Sequence, residues 1–190
     1  VGTPTVQAAL PLIERSGVPL IAPVTGAQLL RRDDQPMIFN LRASYHEEMA
    51  AVVRYLQRYR RRQIAVFYQQ EMQALPPALR HGVGISQVVP FPWDARIPLV
   101  KDYQQAMRQA YPRSPYGFLS LEGYIAARFL VKGLQAAAVP LDRSSLIEAL
   151  RRLEGEDLGG FRLRLNPRDR NQPGFVQLTF MAGPQGVYLH

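Results

Sequence analysis

The sequence has no cysteine, a single tryptophan and only two lysines among its 23 basic residues. Without cysteine there is no disulfide, no thiolate nucleophile and no thiolate metal site. No run of 18 apolar residues occurs, so no transmembrane helix is expected. The opening Val1-Gly2-Thr3-Pro4-Thr5 lacks a basic region followed by an apolar one, so no signal peptide is expected within the chain. His46, His81 and His190 are scattered without metal-ligand spacing. Nucleophile elbow, P-loop, G-x-G-x-x-G and H-E-x-x-H motifs are all missing. Glu47 and Glu48 are adjacent on a helix and do not face each other, so they read as first-turn dipole partners. Asp33-Asp34 has no further oxygen ligands at calcium-loop spacing. No catalytic residue, metal or cofactor is expected, and the chain reads as no enzyme.

What is present is ample for a folded core. The 190 residues are 47% hydrophobic and 20% charged, which excludes a disordered chain. The net charge of +8 comes from dispersed arginines without an aromatic–basic recognition motif, so no nucleic-acid partner is expected.

Periodicity gives alternating helices and strands. Residues 4–16 read as a helix with Val6, Ala9, Leu10 and Ile13 on one face, Thr3 or Thr5 as N-cap and Gly17 after its end. Residues 18–22 form an apolar run typical of a strand buried on both faces of a parallel sheet. Residues 38–41 read as another strand. Ser44 and Glu47 make a capping box for a helix with Tyr45, Met49, Val52, Leu56 and Tyr59 on an inward stripe, closed by Arg60-Arg61-Arg62. Strands follow at 64–68 and 83–89, separated by a stretch (69–80) in which prolines break the α/β rhythm. Helices are expected over 98–111, over 120–138 from Ser120 and apolar nearly all round, and after Asp142 or Ser144. Short strands at 161–165, 176–180 and 186–189 complete the chain. This order points to an α/β fold.

Two loops stand where open α/β sheets place ligands. One is Gly2-Thr3-Pro4-Thr5 at a helix N-terminus, where hydroxyls and amides suit a carboxylate. The other is Pro23-Val24-Thr25-Gly26 at a strand end. Ordinary capping and turn formation would account equally well for both threonines.

Several stretches then resemble a known family in its own order: GTPT (2–5), SGVPLIAPVTGA (16–27), IFNLRASYHEE (38–48), IAVFYQ (64–69), SQVVPFP (86–92), SLEGYIAARFLVKGL (120–134) and DLGGFRLRLNP (157–167). Together they resemble the periplasmic solute-binding proteins of ABC transporters, type I fold, in the branched-chain amino acid-binding (Leu/Ile/Val-binding-like) family. The resemblance implies two α/β lobes joined by hinge crossings, a small amino-acid-like ligand held between them without chemistry, a membrane permease as partner, and a periplasmic location. It implies a first lobe at 1–62 and 93–165, a remnant of the second lobe with crossings at 63–92, and C-terminal hinge strands at 166–190. The family is about twice this length; its first units and, near 69–75, most of its second lobe are missing here, so the fold is expected to be incomplete. For the ligand it implies Thr3 and Thr5, the loop Val24, Thr25 and Gly26, and an aromatic wall of Tyr116 and Phe118, for which core packing is an equal alternative. Gly26 stands where family members often carry a hydroxyl.

Overall fold

The computed structural model describes residues 2–32, 34–61, 82–165, 174–182 and 187–189. The strand expected at 64–68 and the interruption at 69–80 lie outside the described residues.

Helix α1 spans Thr3–Ser16 and ends at Gly17, whose φ of 62° is the left-handed conformation that glycine adopts without a Cβ penalty. Its N-cap is Gly2 rather than a threonine, and no side chain caps it. Thr3 is already helical, and its hydroxyl is used elsewhere. Pro4 fits the first turn, where its missing N–H costs nothing.

Strands β1 (Leu20–Ile21) and β2 (Ile38–Phe39) pair in parallel, Leu20 opposite Ile38 and Ile21 opposite Phe39. The pairing extends at both ends, with the Leu20 amide donating to Met37 O and the Ala22 amide to Phe39 O, each at 2.8 Å. β1 is shorter than its apolar run and only half-buried, not covered on both faces. A 3-10 turn at Gln28–Leu30 lies between the two strands.

Helix α2 spans Tyr45–Arg58 and opens with the expected capping box. The Glu47 amide donates to Ser44 Oγ at 3.2 Å, and Glu47 Oε2 accepts from the Ser44 amide at 2.6 Å. The inward stripe is observed only in part, with Val52 and Leu56 half-buried. α2 has no fully buried residue, and Tyr45, Met49 and Tyr59 are about half-exposed.

A second, antiparallel sheet holds β3 (Gly84–Gln87), β4 (Gln177–Ala182) and β5 (Val187–Leu189) in the order β3-β4-β5. Helices α3 (Pro98–Ala110), α4 (Phe118–Ala136) and α5 (Arg143–Arg152) build the core. Leu99, Tyr103, Leu121, Phe129, Leu150 and Leu163 in it are essentially inaccessible. The Phe39 ring meets Phe129 at 5.8 Å, seating the parallel strands on α4. This is an α/β arrangement in which helices flank a parallel sheet.

Three details differ from the sequence reading. α4 begins after Gly117 rather than Ser120, because the Ser120 hydroxyl is engaged with Tyr103 Oη at 2.6 Å. α4 buries one face only, since Leu119, Val131 and Leu134 are exposed. Residues 161–165 are not a strand but one side of a turn with a single bridge, Asp157 to Arg162. The turn is closed by Asp157 Oδ1, which accepts from the Gly159 and Gly160 amides at 2.7 and 2.6 Å, with both glycines at positive φ.

Candidate functional site

The start of α1 and the loop after β1 meet through their side chains. Thr3 Oγ1 lies 2.7 Å from Thr25 Oγ1. Thr25 is fully buried, and its hydroxyl also accepts from the Ala27 amide at 3.2 Å and lies 3.3 Å from Tyr45 Oη. A hydroxyl has one proton to donate and two acceptor positions. Ala27, Thr3 and Tyr45 therefore use all that Thr25 offers, and Thr25 stands behind Thr3 and Tyr45.

The loop itself is locked. The Thr25 amide donates to Pro23 O at 2.8 Å, and the Tyr45 amide donates to Gly26 O at 2.9 Å. Arg31 reaches back with Nη1 on Ala27 O at 3.1 Å and Nη2 on Arg42 O at 2.7 Å. Gly26 is buried against Tyr45, and a Cβ there would fall 2.6 Å from Tyr45 Cδ1 and 2.7 Å from its backbone nitrogen. Val24 is half-buried in the same loop.

Tyr45 is the residue that the sequence hid, because its spacing matched a core stripe. Its phenol is held below the ordinary tyrosine value, first by the hydrogen bond with Thr25. The Gly26 backbone, the Thr3 hydroxyl and the Arg42 charge act in the same direction, against burial. Thr5, in the first turn of α1, is exposed. The Thr3 and Thr5 amides belong to the turn that has no intrahelical acceptors.

Tyr116 and Phe118 form a second group at the start of α4. The Tyr116 ring packs edge-on to Tyr103 at 5.8 Å, and its hydroxyl accepts from Arg108 Nη1 at 2.9 Å. Phe118 meets Phe91 at 6.1 Å and the half-exposed Trp93 at 5.9 Å. Phe91 and Trp93 extend the aromatic surface beyond the pair singled out in the sequence.

Behind the first group lies a charge cluster. Arg42 faces Glu48 at 3.5 Å and Glu122 of α4 at 3.6 Å, with all three side chains largely buried. Ser86 of β3 donates to Glu48 Oε2 at 2.7 Å, and the Gly174 amide donates to Glu47 Oε1 at 2.7 Å. Burial, then the charge of Glu48, raises Glu122, with Arg42 opposing. Burial also acts to raise Glu47, but the Gly174 and Ser44 amides, the Ser44 hydroxyl and Arg31 outweigh it and leave Glu47 lowered. Among the described residues no group of three or more His, Asp or Glu side chains could hold a metal ion.

Residues 68–176, more than half of the chain, match the Periplasmic binding protein family. No curated protein matches the chain. Among solved structures, the chain is similar to a possible leucine/isoleucine/valine-binding protein from Rhodopirellula baltica SH 1, with 25% identity and a TM-score of 0.79 over 100% of this chain and 75% of that one. A substrate-binding periplasmic protein from Ralstonia solanacearum shares the fold at 18% identity, with a TM-score of 0.78 over 100% of this chain and 78% of that one. So does an extracellular ligand-binding receptor from Verminephrobacter eiseniae ef01-2, at 20% identity and a TM-score of 0.71 over 91% of this chain and 73% of that one. The chain belongs to the periplasmic binding protein family, the non-catalytic periplasmic and extracellular ligand-binding proteins of ABC-type systems, and has their type I fold.

Proposed function

We infer that the protein is the extracytoplasmic solute-binding component of an ABC importer and takes a small amino-acid-like ligand. The observation that carries this reading is the Thr3–Thr25 hydroxyl pair, which joins the N-terminus of α1 to the loop after β1. A carboxylate there meets hydroxyls, amides without intrahelical acceptors and the positive end of a helix dipole. Thr3 and Thr5 supply the α1 side, Val24 and Gly26 supply the loop with the fully engaged Thr25 holding it from behind, and Tyr116 and Phe118 wall the ligand side chain. The ligand lies between two lobes, the first formed by 1–62 and 93–165, and closure about the crossings presents the loaded form to a membrane permease. The likeness to a possible leucine/isoleucine/valine-binding protein favours a branched-chain or related amino acid.

A second reading, a ligand-sensing domain of the same fold, is favoured by the likeness to an extracellular ligand-binding receptor. Thermal unfolding with single amino acids, their amides and aromatic acids tests the binding common to both. One solute should raise the midpoint, because a ligand that binds only the native state stabilises it. No shift with any of them would remove both readings. Stimulation of a permease ATPase by the loaded protein separates importer from sensor.

A further inference from the structure

Thr3, Thr25 and Tyr45 gather three hydroxyls, with oxygen separations of 2.7 Å for Thr3–Thr25 and 3.3 Å for Thr25–Tyr45, and the Thr3 hydroxyl also bears on the phenol. Each hydroxyl carries one proton, and two protons suffice for the two bonds. Since the Ala27 amide occupies one acceptor position on Thr25, Thr25 accepts from one neighbour and donates to the other. The two bonds are therefore directional, and the third proton, on Thr3 or on Tyr45, is needed by neither of them.

The Tyr45 end is the more open. Tyr45 is 48% exposed, whereas Thr3 is half-buried and Thr25 fully buried. The second bond is the longer one, beyond the usual range for O–H···O, so the phenol is the least tightly held member. Its ring lies where a side chain at position 26 would stand, since a Cβ there would approach Tyr45 Cδ1 to 2.6 Å and Cε1 to 2.9 Å. The glycine and the tyrosine are thus one device, in which the missing side chain at 26 makes room for a phenol from α2.

We propose that Tyr45 is a specificity-determining residue whose outward O–H donates to a ligand carboxylate, with Thr25 as relay and Gly26 as the residue that admits its ring. This rests on the solute-binding reading above.

The test is calorimetric titration with L-leucine, L-phenylalanine and benzoate, each paired with its amide. The wild-type chain should bind at least one carboxylate in preference to its amide. Tyr45→Phe keeps the ring and removes one partner of the buried Thr25 hydroxyl, which can still donate to Thr3, so the fold should be retained with at most a modest fall in the unfolding midpoint. It should lose about ten- to a hundredfold in carboxylate affinity, the loss expected for a hydrogen bond to a charged group, and most of the preference over the amide. Gly26→Ser should weaken the same probe by pushing the ring away, and Gly26→Ser combined with Tyr45→Ala should recover part of the affinity. Wild-type binding with Tyr45→Phe unchanged in affinity and preference overturns this proposal and leaves the solute-binding reading standing. Failure of the wild-type chain to bind any probe overturns both.

Discussion

The hydroxyl oxygens of Thr3 and Thr25 lie 2.7 Å apart across 22 residues of sequence. This contact sets α1 against the loop that follows β1, and it makes the two threonines unequal. Thr25 is inaccessible and serves a buried amide, whereas Thr3 stands at the half-buried start of a helix. Thr25→Val should cost about 1–3 kcal/mol, because it leaves the Ala27 N–H without its acceptor. Thr3→Val should cost less stability while still weakening a carboxylate ligand. Urea unfolding of the two variants checks the order, and equal costs would mean that Thr25 holds nothing the loop needs.

Glu47 and Glu122 should give opposite pH dependences. Glu47 is lowered in the folded protein, so its contribution is present above the ordinary carboxylate value of 4.5 and is lost as pH falls through its lower folded value. Glu122 is raised, so its folded form binds a proton more readily. Its cost is full above the raised value and is relieved as pH falls from there towards 4.5. Glu47→Gln should therefore flatten the acid loss of stability, and Glu122→Gln should steepen the decline in mild acid. Unfolding free energy measured against pH for the three proteins shows whether the slopes separate.

Arg42 is the cation that Glu48 and Glu122 share. Arg42→Met leaves two largely buried carboxylates facing each other and should cost about 3–5 kcal/mol at neutral pH, the range for a broken buried pair. Adding Glu122→Gln should return part of that loss. A double-mutant cycle reads the coupling directly, and additive effects would show that Glu122 and Arg42 act independently.

Two glycines of α4 should respond with opposite signs. A Cβ on Gly123 meets nothing within 4 Å, so Gly123→Ala should stabilise by about 1 kcal/mol through helix propensity alone. A Cβ on Gly133 would fall 2.9 Å from Cγ of the buried Leu150, where α4 crosses α5. Gly133→Val should cost about 1–3 kcal/mol by overpacking that crossing. Thermal unfolding of both variants decides, and a neutral Gly133→Val would mean that the helices separate at little cost.

The sequence was most legible where one residue type has one job. Gly17 ends α1 in the left-handed conformation, Ser44 and Glu47 make their capping box, and Asp142 caps α5. Spacing was a poorer guide on α2, where the period was right and the burial was not. Tyr45 matches a core stripe, yet its ring covers Gly26, because the space beside that glycine is created by a residue 19 positions earlier. The Thr3 and Thr25 loops were legible as ligand loops, but their direct contact was not, since no local pattern brings residues 22 apart together. Residues 161–165 have the signature of a strand in sequence, because buried Phe161 and Leu163 alternate with exposed Arg162, yet they form one side of a turn.

The bond from the Gly174 amide to Glu47 also closes a long loop, since the two residues are 127 positions apart. The acceptor is set locally, because the Ser44 capping box holds the Glu47 side chain at the start of α2. The Gly174 segment therefore meets a carboxylate whose orientation a neighbouring residue already fixes. The cost of joining the ends of so long a loop grows only with the logarithm of its length, so one well-placed acceptor serves where a longer interface would otherwise be needed.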